Sequence, residues 1–100
     1  MEQGTALQLL ESHVAQLEDR WPSDRFEKRS AAAEIGPLVR ALRDQLGWTV
    51  HQLASRSDVD MGGVVRLEAG KELGSLRWLR MITSALASGI SDGDLTRAST

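Results

Sequence analysis

The side chains able to act chemically in this 100-residue chain are few, and their spacing excludes most catalysis. Two histidines, His13 and His51, are the only imidazoles, and there is no cysteine. The histidines fall in separate predicted helices with no partner at triad or metal-ligand spacing, so neither nucleophilic nor general acid–base catalysis finds its parts. His13 reads as a surface helix residue, and His51 as solvent-facing or as a neighbour of a phosphate. Without thiols, disulfides and thiolate zinc sites are excluded. No Gly-Lys-Ser/Thr follows Gly4 or Gly62-Gly63, so no phosphate loop forms. An enzyme is not expected, nor a cofactor, nor a metal. The chemistry left is recognition by a surface.

The segment positioned to supply that surface is Thr49 to Gly70, TVHQLASRSDVDMGGVVRLEAG. Thr49 can cap a helix, because its hydroxyl accepts from the backbone donors left free in the first turn. Val50, Leu53 and Ala54 follow at i, i+3 and i+4, one apolar stripe that breaks at Ser57-Asp58. Asp58 tolerates the left-handed backbone of a sharp turn, Val59 plugs the corner, and Asp60 caps a second helix. Val64 and Leu67 face inward from that helix, and Gly70 supplies a left-handed stop. Two short helices joined by a tight turn are a helix-turn-helix, a unit that holds one helix against a DNA groove.

The remaining elements follow the same rules. Pro37 suits a first helical turn, so IGPLVRALRDQLG predicts a helix that begins near Ile35. Ser75 caps a helix with Leu76, Leu79, Ile82, Leu86 and Ile90 on one side, Trp78 adding to the core or lying partly exposed, and Met81 filling core. Gly89 ends that helix, Ser91 begins a last short turn with Asp92 and Asp94 at its amino end and Leu95 tucked back, and residues 97–100 form a frayed tail. In residues 5–21 the apolar positions Leu7, Leu10, Val14, Leu17 and Trp21 form a heptad seam. Two readings of it stand: docking on the chain's own domain, or docking on a second copy or another protein. Pro22 and Ser23-Asp24 mark a break, after which SDRFEKRSAAAE forms a second helix of the extension.

In this order the parts resemble the phage-repressor-like helix-turn-helix family, also called the XRE or Cro type, over roughly the last two thirds of the chain. The resemblance implies an all-α, lambda-repressor-like five-helix domain over residues 35–96, preceded by a helical extension over residues 1–34. It implies that Arg43 pairs with Glu68, a device that fixes how two helices meet. It also places Met61, Gly62, Gly63 and Arg66 where bases are read. Arg66 can bridge both acceptors of a guanine, Met61 offers apolar contact, and the glycines offer close backbone approach. Lys71 is the principal phosphate candidate, with Thr49, His51 and Arg56 beside it. Asp60 stands where a Ser or Thr is commoner, and Val50 where glutamine often contacts phosphate. Gly62-Gly63 costs the helix roughly 1–2 kcal/mol relative to alanines, so something close-packed, DNA backbone or another protein, rewards the missing side chains.

Charge qualifies this picture. Between Ile35 and Leu95 seven cations face seven acids, and the extension is net negative by three, so it opposes a polyanion if it lies nearby. Tight DNA binding then requires cations clustered on one face. Two functions are expected from these residues. One is a dimeric transcription regulator, a repressor, on a double-stranded operator; the other is a helix-turn-helix fold turned to protein binding, antiactivator or antitoxin-like. At 41% hydrophobic and 26% charged residues, one small domain plus an appendage is the expected organisation. The start MEQGTALQ lacks the basic flank and apolar stretch of a secretion signal, and no apolar run reaches membrane-spanning length, which points to the cytoplasm and to no membrane partner.

Overall fold

The computed structural model describes residues 2–99, with side-chain surroundings for residues 6–91. Those residues form five helices and no strand: α1 Glu2–Asp19, α2 Arg25–Leu46, α3 Val50–Ser57, α4 Met61–Glu68 and α5 Leu76–Ser99. The architecture is all-α. No helix among the described residues is long and apolar enough to cross a membrane.

Local chemistry starts and stops these helices. The carboxylate of Asp24 accepts from the Glu27 N–H at 2.8 Å and caps α2, which Gly47 ends in the left-handed region at φ 70°. Thr49 caps α3 in a reciprocal box. Its hydroxyl accepts from the Gln52 N–H at 3.0 Å, and the Gln52 side chain accepts from the Thr49 N–H at 2.7 Å. Asp58 turns the chain at φ 57°, and Asp60 caps α4 by accepting from the Gly63 N–H at 3.0 Å. Gly70, at φ 73°, closes the end of α4 by donating to the Leu67 carbonyl.

Two helices run through the expected breaks. α2 is continuous from Arg25 to Leu46 and carries Pro37 in its interior, so the expected boundary at residues 34/35 falls inside one helix. An interior proline costs about 3 kcal/mol; the inward stripe of Ala32, Ile35, Gly36, Val39 and Leu42, buried along the helix on both sides of Pro37, offsets it. α5 likewise passes through Gly89 and Ser91. Gly89 does not stop the helix but seats an aromatic ring, since a β-carbon there would stand 2.5 Å from Cη2 of Trp48. The expectation that Leu95 tucks back, with Asp92 and Asp94 at the amino end of a turn, lies outside the described side chains. Residues 97–99 continue α5, and Thr100 lies outside the described residues.

α1 packs against α2 and α5. Leu10 and Val14 are buried in the same core as Ile35, Leu42, Leu53, Leu67, Ile82 and Leu86, with Leu7, Leu17 and Trp21 packed at its edge. The heptad seam therefore docks on its own chain. α2 and α4 meet at Gly36, where a β-carbon would run into the Leu67 carbonyl. At the same junction Arg43 grips Glu68 with two prongs, Nε to Oε2 at 2.7 Å and Nη2 to Oε1 at 2.9 Å, while its Nη1 donates to the Trp48 carbonyl at 2.8 Å.

Candidate nucleic-acid interface

α4 presents its outer side as two adjacent rows, because residues four apart stack on one helix face. Met61 and Val65 form an apolar row, 48% and 51% exposed. Gly62 and Arg66 form the other. The guanidinium of Arg66 is held between two carboxylates, with Nε 2.8 Å from Oε2 of Glu72 and Nη2 3.7 Å from Oδ2 of Asp60. It lies back over Gly62, where a β-carbon would stand 3.1 Å from its Nη1. Gly62 thus leaves room for Arg66. Gly63 has a different neighbour: a β-carbon there would stand 2.9 Å from Cζ2 of Trp78. The close-packed partner of Gly63 is this chain's own indole, half-buried between α4 and Gly74.

The other recognition candidates separate into groups. Thr49 is exposed with its hydroxyl oxygen engaged in the cap of α3, and His51 is exposed in the first turn of the same helix. Arg56 lies elsewhere, with its guanidinium 4.5 Å from the centroid of the Trp48 ring. Lys71 lines a cleft of about 630 Å³ with Arg25, Lys28, Arg29, Glu72 and Gly74. Among the described residues none of those four cations enters an ion pair.

This clustering revises the expectation that the extension opposes a polyanion. Folding sorts its charges. Arg25, Lys28 and Arg29 join Lys71, whereas Glu18 is bonded to Arg80 at 2.9 Å and Glu34 lies 3.5 Å from His13. The nearer acids are engaged in the cap, Asp24 with the Glu27 N–H and Glu27 with Ser23. Arg25, Lys28 and Arg29 were missed as site residues, although their i, i+3, i+4 spacing marks one helix face. Glu72, which touches Arg66 and lines the cleft, and the exposed Val65 were missed as well. Among the described residues no cluster of three or more His, Asp or Glu could hold a metal ion.

No family model matches this chain, and neither a curated protein nor a solved structure does.

Proposed function

We propose that the protein is a sequence-specific, DNA-binding transcriptional regulator of the phage-repressor-like helix-turn-helix type, acting as a dimer and most simply as a repressor. One observation carries the reading: in a chain of net charge −2, four cations from distant segments gather in one cleft beside the carboxyl end of α4. A neutral domain binds a duplex only when its cations share a face, since phosphate neutralisation supplies most sequence-independent affinity. Lys71, Arg25, Lys28 and Arg29 are the phosphate contacts, and Met61, Gly62 and Arg66 approach the bases, with Arg66 donating to guanine.

The test is a titration of the purified protein against duplex DNA from upstream of its own gene at two salt concentrations. Lys28→Ala and Lys71→Ala should each weaken binding to all sequences and flatten the salt dependence by about one unit of slope. Arg66→Ala should instead relax sequence preference.

A second reading has its own observation. Arg66 is already neutralised by Asp60 and Glu72, and the row beside it is apolar. Met61 and Val65 then suit a protein partner, as in an antiactivator or antitoxin-like module. Folded protein that binds no duplex at low salt selects this reading.

A further inference from the structure

A second cationic cleft lies between the carboxyl end of α3 and the flank of α5, and among the described residues it shares no lining residue with the first. Its volume of about 560 Å³ falls within the size range of small-molecule sites. Arg56, Arg77 and Arg80 line it, and among the described residues no carboxylate does.

Two of these guanidiniums are held in place from behind. Arg56 lies over the Trp48 ring, which is itself lodged against Gly89. Arg80 is gripped by Glu18 through Nε at 3.0 Å and Nη2 at 2.9 Å, which leaves its Nη1 edge unused by that pair. Arg77 enters no ion pair among the described residues. On α5, Arg77, Arg80, Ser84 and Ser88 follow at steps of three and four, so guanidinium and hydroxyl donors line one side of the helix. Among the described residues, three guanidiniums share one carboxylate, Glu18, which leaves two positive charges without a partner there. Arginine is the side chain whose planar fork matches phosphate oxygens, and forks already fixed in place lose little freedom on binding.

We propose that this cleft binds a small phosphate-bearing molecule with at least two negative charges. Three guanidiniums and two hydroxyls offer more donors than a single carboxylate can accept, whereas a phosphate or pyrophosphate group has enough oxygens for them. The site is independent of the DNA-binding reading, although the duplex backbone could supply the same chemistry. Because the cleft bridges α3 and α5, an occupant would tie the first helix of the recognition unit to the closing helix.

Thermal unfolding with pyrophosphate, against sodium chloride at matched ionic strength, tests the site, because a ligand bound only by the folded state raises the midpoint with concentration. The expected result is a dose-dependent rise that Arg77→Ala weakens by roughly tenfold in apparent affinity, and that Lys28→Ala and Lys71→Ala leave intact. No rise beyond the chloride control overturns the proposal. So does a rise abolished by Lys28→Ala or Lys71→Ala and untouched by Arg77→Ala, which would assign the anion to the other cleft. Weaker duplex binding by Arg77→Ala without a pyrophosphate effect would assign the cleft to DNA phosphates and overturn the small-molecule site. Arg77 is exposed, and Arg77→Glu should abolish the rise while the protein stays folded.

Discussion

Trp78 lies across Gly63, so that a β-carbon on the glycine would sit 2.9 Å from the indole Cζ2. The ring belongs to α5 and the glycine to α4, so the contact joins these two helices. At the neighbouring Gly62 a β-carbon would meet the Asp60 cap oxygen at 3.0 Å and the tip of Arg66 at 3.1 Å, side-chain atoms that need give by only a few tenths of an ångström, and no ring or backbone.

These adjacent glycines should respond to alanine with opposite signs. Gly62→Ala should stabilise by up to about 1 kcal/mol, the helix-propensity gain. Gly63→Ala gains the same but forces a rigid ring aside, and overpacking of about 1–3 kcal/mol should leave it net destabilised. Urea unfolding of both variants checks this, and two stabilised proteins would contradict the Trp78 contact.

Arg43→Ala should cost about 3 kcal/mol, the lower end for breaking a buried pair. It strands the Glu68 carboxylate, 9% exposed, and leaves the Trp48 carbonyl without its donor. Arg40→Ala, in a surface pair with Asp44 at 4.0 Å, should change stability by less than about 1 kcal/mol. Denaturant midpoints of the two variants measure the contrast.

Leu10→Ala should destabilise by about 2–5 kcal/mol, because Leu10 is fully buried within its own chain. Leu9→Ala, at a half-exposed position, should stay within about 0.5 kcal/mol. Calorimetry gives the stabilities and sedimentation the masses; a Leu10 variant with changed mass and unchanged stability would return the seam to intermolecular duty.

Glu72→Gln removes the carboxylate 2.8 Å from Arg66 and, among the described residues, the only one lining the Lys71 cleft. If the proposed DNA-binding function holds, affinity for duplex DNA should rise a few-fold at low salt, with an effect on folding below about 1 kcal/mol for so exposed a pair. Anisotropy titrations beside unfolding curves separate the two.

The bond from Arg80 holds the Glu18 carboxyl below its ordinary range. A group more acidic when folded than when unfolded stabilises the native state at neutral pH, and that stabilisation disappears as pH falls through the folded value. The melting difference between wild type and Glu18→Gln should therefore shrink from about pH 6 to about pH 3. A difference that grew on acidification would contradict the pair.

Much of α3, its turn and α4 was legible in the sequence. Thr49, Asp58, Asp60 and Gly70 act on backbone groups within a few residues, and backbone sterics hold wherever the segment lands. Val64 and Leu67, expected to face inward from α4, are both fully buried. Arg25, Lys28 and Arg29 were also readable as one helix face, but not as neighbours of Lys71.

Only the tertiary structure decided the rest. It carried α2 through Pro37, made Gly89 a seat for Trp48 rather than a stop, covered Gly63 with Trp78, and turned the Leu7 to Trp21 seam into core. It also divided the basic residues between two clefts, one around Lys71 and one around Arg77. Helix caps and turns are set by contacts a few residues long, whereas these outcomes depend on which distant surfaces meet once the apolar stripes are buried, and a helical stripe shows that it must be covered without naming what covers it.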